Sequence, residues 1–339
     1  MKHARKIRRQ TAINGLDLVS EAINLLRIAP GRLLVAYYAG SVPFVLGFLY
    51  FWSDMSRSSF AHDRCLQFSM AVAGLFVWMK CWQSFFAIEL RALLAHGTPG
   101  SWTPSRILRL VAVQTAVQPY GLLLIPVSLL LVLPFHATHA FFQNTSVVGD
   151  GTSSNVLATV KRSWSQARLW PAQNHFMLWL ASPWLLLPAM GVFFTLGWFI
   201  MSLMSAIPGI ERYWFLPVLL VCGISAMMFP FSPAGSVVVG NLGTLIIISP
   251  VLLNKLMGVQ NLFTMAGPHK VFNVTFIATL FFLAYLCLDP VIKAVHALRC
   301  FYGDSRRSGE DILVELRSIA ATGRQTQPAD SRTTAEAIT

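Results

Sequence analysis

Five stretches of this chain carry no Asp, Glu, Lys or Arg: Leu33–Ser53, Leu110–Gly149, Leu169–Ile210, Tyr213–Asn254 and Val271–Leu288. A bilayer core is crossed by about 20 consecutive apolar residues in a helix. The two shorter runs therefore fit single spans. Leu110–Gly149 is too long for one and fits a hairpin turning near Pro119–Pro126, with a short first leg. The run Tyr213–Asn254, interrupted by Pro230, Pro233, Gly235 and Gly240, is compatible with two spans or with a re-entrant hairpin. A second span over about Gln67–Glu89 is interrupted by Lys80. The expected fold is all-α, a polytopic transmembrane bundle of about 6–8 spans with cytoplasmic amphipathic helices at the interface.

Composition agrees. The chain is 55% apolar and 12% charged, whereas an ordinary soluble domain is about 25% charged. The net charge of +12 would suggest nucleic acid in a soluble protein. Here the basic residues flank the apolar runs, as cytoplasmic loops do, so no nucleic-acid partner is expected. The bilayer itself is the expected partner, with other membrane proteins beside it. The basic start, MKHARKIRRQ, is not followed by a short apolar core and a cleavage site, and is not read as a signal peptide. The five cysteines are odd in number and scattered, with neither a disulfide framework nor a CxxC site.

Four regions follow. Residues 1–32 form a basic N-terminus and an interfacial helix, with Leu16, Val19, Ala22, Ile23 and Leu26 on one face. Residues 33–290 are the transmembrane domain. It contains an amphipathic cytoplasmic helix near 155–170, whose apolar face is Leu157, Val160, Trp164 and Ala167. At Asp289-Pro290 the pattern breaks like a helix start, the carboxylate capping free backbone N–H groups. Residues 291–320 then form cytoplasmic helices, one closing near Gly303 and one carrying Ile312, Leu313, Leu316 and Ile319 on a single face. Residues 321–339 are polar and expected to be disordered. Both termini are expected on the cytoplasmic side of the membrane.

Lys80 is the most informative single residue, because an ionisable group within a span is a functional candidate by default. Gln83 lies one turn away, Gln114 and Gln118 share a helical face, and His136, His139 and Gln143 share another. Together these seven define a candidate polar membrane cluster, readable as interhelical glue or as a hydrated pocket. His136 and His139 have a spacing that can serve one metal, but no third ligand lies near, so no metal or cofactor is assigned. Asp289 and Lys293, four residues apart, are expected to form a cytoplasmic cap and ion pair. No phosphate loop, H-E-x-x-H or G-x-S-x-G motif occurs, and no catalytic residue is assigned.

The segments AFFQN (Ala140–Asn144), VKRSWSQARLW (Val160–Trp170) and LDPVIKAVHALRCFYGDSRRSGEDI (Leu288–Ile312) resemble a group of bacterial inner-membrane proteins. That group is distantly similar to the membrane domain attached to some bacterial glycerophosphodiester phosphodiesterases. The resemblance covers most of residues 15–320. It implies a helical membrane module without the soluble hydrolase, working beside other membrane proteins. Three functions are thereby set in order: a scaffold or assembly partner, a transporter or channel built on the cluster around Lys80, and an intramembrane lipid-acting enzyme.

Overall fold

The computed structural model describes residues 14–97, 100–131, 135–153, 155–181, 233–257 and 274–325. Everything regular among them is helical: α1 Gly15–Ile28, α2 Gly31–Arg57, α3 Ala61–Leu94, α4 Pro104–Leu131, α5 Phe135–Val148, α6 Val156–Leu169, α7 Pro171–Ala181, α8 Pro233–Met257, α9 Val274–Ser308 and α10 Glu310–Gln325. Among the described residues, four helices are long and apolar enough to cross a membrane: α2, α3, α4 over Pro104–Ile125, and α9 over Thr275–Arg306.

The centre is a trio. α2 and α3 run antiparallel, and two glycines set their spacing. A Cβ on Gly40 would come within 2.3 Å of Trp82 Cβ, and one on Gly47 within 2.5 Å of Leu75 Cδ1. Small residues let membrane helices approach this closely and gain dispersion contacts in place of a hydrophobic driving force. α9 lies across the pair, antiparallel to α2 and parallel to α3. Phe48 meets Phe282 near one end, while Arg91 reaches Asp304 at the other. A core of Leu18, Tyr37, Phe86, Leu90, Val295 and Leu298 ties in α1, and Met177 ties in α7.

The central helices contain prolines, and each proline has its own repair. Proline removes the N–H that would bond the carbonyl four residues back. In α2, Pro43 frees the carbonyl of Ala39, and Trp78 of α3 donates its Nε1–H to that oxygen at 3.2 Å. In α9, Pro290 frees the carbonyl of Leu286, and the Tyr38 hydroxyl of α2 donates to it at 3.4 Å. Neighbouring helices thus restore what the chain cannot supply.

This overturns one expectation. Asp289-Pro290 is not a helix start: α9 continues through it to Ser308, well past Gly303. Gly303 is instead a close-approach position, where a Cβ would meet Gln166 Oε1 at 2.1 Å. The helix ends at Gly309, whose φ of +67° suits glycine. Ser308 Oγ accepts from the Glu310 N–H and opens α10.

The hairpin also differs from expectation. α4 passes through Pro119 and Pro126 to Leu131, so the short leg is the second, α5. Likewise Pro233 heads α8, which runs unbroken over Gly235 and Gly240. The rest of the run from Tyr213 lies outside the described residues, as does most of Leu169–Ile210. Within the latter, α6 ends at Leu169 and Pro171 begins a separate helix.

The apolar faces read for the amphipathic helices pack against the bundle only in part. α1 buries Leu18, Ala22 and Leu25, leaving Leu16 and Ile23 exposed. Gly15 makes room for the Phe176 ring of α7. α6, capped by Asn155 Oδ1 on the N–H groups of Leu157 and Ala158, buries Thr159, Ser163, Gln166 and Ala167. Leu157 and Trp164 face outward. The small and polar side faces the bundle because α5 and α9 present polar groups there.

Trp78→Phe removes the only donor to Ala39 and should cost about 1–2 kcal/mol. In a Pro43→Ala background the backbone N–H returns, so the same substitution should cost markedly less. Unfolding midpoints of the four proteins in mixed micelles measure the difference; equal costs in both backgrounds would mean that the indole does not repair the helix.

Candidate functional site

Continuity of α9 places Tyr285, Asp289, Lys293, His296 and Cys300 on one stripe at spacings of four, four, three and four residues. All but Cys300 are polar, all five are buried, and each meets a partner from another helix.

At one end of the stripe, Asp289 Oδ2 accepts the Tyr37 hydroxyl at 2.7 Å and Gln83 Nε2 at 3.1 Å. Gln83 Nε2 also donates to the Tyr285 hydroxyl oxygen at 2.8 Å and lies 3.5 Å from Ser41 Oγ. Lys80, half-buried, donates to Gln83 Oε1 at 3.3 Å and sits over the Phe76 ring. Gln83 therefore spends its carbonyl on the lysine and its amide on acceptors from two other helices, α2 and α9. That is why its position in α3 is fully buried.

One turn further, Lys293 Nζ donates to Gln143 Oε1 at 2.6 Å and to Ser146 Oγ at 3.4 Å. Gln118 of α4 donates to the same Ser146 hydroxyl and to the Phe142 carbonyl. Gln143 Nε2 faces His139 Nε2 at 3.4 Å. The next turn belongs to Asn144, whose Oδ1 accepts from His296 Nδ1 at 2.9 Å and from Cys300 Sγ at 3.6 Å. Asn144 Nδ2 in turn reaches the Ser163 carbonyl of α6.

The stripe finishes in an ionic staple. Asp304 Oδ2 accepts from Arg91 of α3 at 2.6 Å and from Arg162 of α6 at 2.7 Å, and its Oδ1 accepts from Gln166 at 2.8 Å. Burial works to lower the Arg162 pKa, yet the hydrogen bond and charge of Asp304 carry it above its ordinary value. One carboxylate pins three helices. A separate tie joins α1, where the Tyr302 hydroxyl donates to Glu21 Oε1.

Of the seven residues in the candidate cluster, five join this line: Lys80, Gln83, Gln118, His139 and Gln143. Gln114 is buried beside Gly149, but neither of its amide atoms has a hydrogen-bond partner among the described residues. His136 turns away and stacks on His175 of α7, ring centroids 3.6 Å apart. The two histidines therefore do not converge on one point. Asp289 and Lys293 are neither a cap nor a direct ion pair. Both lie inside a continuous helix and bind different partners, Tyr37 and Gln83 for one, Gln143 and Ser146 for the other.

Tyr37, Ser41, Asn144, Tyr285, His296 and Arg299 belong to the buried set and were not singled out from the sequence. The signal was the polar spacing from Tyr285 to Cys300, legible once Pro290 is allowed inside the helix. Compared with known families, curated proteins and solved structures, the chain matches none. The site must therefore be read from its own geometry.

From Tyr285 to Asp304 the geometry is a line of groups bonded to one another across helices, with Gln114 and Arg299 standing outside it. In membrane proteins such interhelical hydrogen bonds average about 0.6 kcal/mol and reach about 1.7. Tyr37→Phe and Asp289→Asn should each destabilise, and the double variant should cost less than their sum by about 1 kcal/mol. Denaturant titration of all four proteins measures the coupling. Strict additivity would show that Tyr37 and Asp289 do not act together.

Proposed function

We propose that this chain is a multi-pass protein of a bacterial inner membrane, with both termini in the cytoplasm, that serves as a scaffold or assembly partner. The observation that carries the proposal is the apolar face of α10. Ile312, Leu313, Leu316 and Ile319 are each about half exposed on a helix lying beyond the long α9. A face of this kind gains stability only against another apolar surface, whether protein or lipid. Leu157 and Trp164 of α6 and Leu16 and Ile23 of α1 are exposed at the same end of the bundle.

The sidedness follows from charge. Arg27, Arg32, Arg91, Arg106, Arg109 and Arg162 gather where α2 begins and α3 and α9 end, and cytoplasmic loops favour Lys and Arg. The opposite end has Asp54, Arg57, His62, Asp63 and Arg64 and is close to neutral. The resemblance to bacterial inner-membrane modules supports the same assignment. Lipids and neighbouring membrane proteins are then the partners.

A photo-crosslinking side chain at Leu316 tests this in cells. A discrete protein adduct, lost when Leu313→Asp is added while the bundle still folds, is the expected result. Adducts confined to phospholipid would reassign α10 as a membrane-surface helix and remove the scaffold.

A second function, transport, is favoured by the balance of buried charge. Lys80 and Lys293 stand near a single central carboxylate, Asp289, and neither is paired with it directly. Intramembrane charges of this kind often mark an ion or substrate path. Reconstituted protein should then move a small anion across vesicles, and Lys293→Met should abolish that flux without loss of folded protein. Equal flux from both proteins would dismiss transport.

A further inference from the structure

Arg299 sits on α9 between His296 and Gly303, 3% exposed, and none of its three guanidinium nitrogens has a hydrogen-bond partner among the described residues. Its situation differs from that of the other cations described along this line. Lys80 has Gln83, Lys293 has Gln143 and Ser146, and Arg91 and Arg162 share Asp304. A guanidinium presents five donors and is not deprotonated in proteins, so it cannot escape burial by losing its charge. Leaving it buried with no counter-charge costs several kcal/mol. Nothing in α9 itself offers compensation, since its only carboxylates from residue 289 onward, Asp289 and Asp304, are bound elsewhere.

Its depth and surroundings narrow the partner. Arg299 lies eleven residues beyond Leu288, the end of the uncharged run, which is roughly 16 Å along a helix. It lies only five residues before the ionic staple at Asp304. That is beyond the acyl chains, at the cytoplasmic margin of the head-group layer. Gly303, one turn on and on the same side of the helix, touches Gln166 and Leu169 of α6. The face carrying Arg299 is therefore turned toward the corner where α6 passes into α7. At that corner Asn174 donates to the Ala167 carbonyl.

We infer that Arg299 is the anchor of a phosphate-type oxyanion site at the cytoplasmic end of the bundle. A planar fork of donors matches two oxygens of a tetrahedral phosphate at once, which a single-point cation does not. The phosphate belongs either to a lipid head group entering from the side or to a free anion. This site does not depend on the scaffold function: α10 can lose its partner with Arg299 occupied, and the reverse.

The test uses the full chain purified in a non-ionic detergent. Bound phosphorus is assayed first, and unfolding midpoints are then followed against inorganic phosphate and, separately, short-chain phosphatidylglycerol. One of the two should raise the midpoint of the wild type. Arg299→Gln should weaken that response by at least about tenfold in concentration, and Arg299→Lys should recover part of it. Saturation by inorganic phosphate assigns a free anion, and saturation by the lipid alone assigns a head group. If Arg299→Gln does not fold, the comparison rests on Arg299→Lys and on wild-type stoichiometry. Wild-type protein that carries no phosphorus and responds to neither ligand overturns the site. So does an Arg299→Met protein that folds and responds as the wild type does.

Discussion

The fold depends on α9 staying a single helix across Pro290. A proline there leaves the Leu286 carbonyl without its usual donor, and hydrocarbon provides no water to replace it. The Tyr38 hydroxyl supplies the missing proton from α2. With the helix intact, Tyr285, Asp289, Lys293, His296 and Cys300 fall on one face. With a break at Asp289, Lys293 and everything after it would be displaced from α5, and Gln143 and Asn144 would lose their partners. The parallel repair of Pro43 by Trp78 shows the same device in the adjoining helix pair. The two prolines sit in facing helices and are each served by an aromatic donor from a neighbour. The trio of α2, α3 and α9 is thus held by backbone chemistry as well as by packing.

Polarity along the stripe is graded, and the grading has a physical basis. Near Asp289 the partners are hydroxyl and amide donors, which stabilise a carboxylate without bringing a second full charge into a low dielectric. Around Lys293 they are an amide carbonyl and a serine hydroxyl, which do the same for an ammonium. Along this stripe full ion pairs appear at Asp304, where Arg91 and Arg162 are partly exposed and desolvation costs less. The bundle therefore separates its charges by neutral groups where water is scarce and pairs them where water is near. Arg299 departs from this order, which is what singles it out.

Much of this was legible in the sequence, and what was not shares one cause. The helical class, the spans at α2 and α3, and the importance of Lys80 and Gln83 follow from charge-free runs and one interruption. Gln118, His139 and Gln143 were found because polar residues within an apolar run at helical spacing stand out. Tyr37 and Tyr285 did not stand out, since tyrosine in such a run reads equally well as an interface residue. The Asp289-Pro290 step was misread because Asp-Pro is locally the pattern of a helix start. The residue that overrules it, Tyr38, is some 250 positions away in sequence. Pro119 and Pro126 misplaced the hairpin turn for a related reason: local rules for proline assume that water or a chain end receives the freed carbonyl.

The orientation of α6 carries this argument furthest. Its apolar residues Leu157 and Trp164 look like a core-facing stripe by the rules of soluble helices, yet they point outward. The inward side carries Thr159, Ser163 and Gln166: the Ser163 carbonyl accepts from Asn144, and Gln166 bonds Asp304 and packs on Gly303. When the surroundings of a bundle are apolar, burying leucine against a neighbour gains little over leaving it outside, while burying a polar group beside its partner gains a bond that lipid cannot offer. Polar residues are then drawn inward and apolar residues are left at the periphery. That reversal puts the buried polar groups described here on the inner faces of α2, α3, α4, α5, α6 and α9. The exposed apolar residues of α1, α6 and α10 remain for lipid or a partner. The two halves of the molecule's chemistry, an inner polar line and an outer adhesive rim, come from one preference acting in an apolar environment.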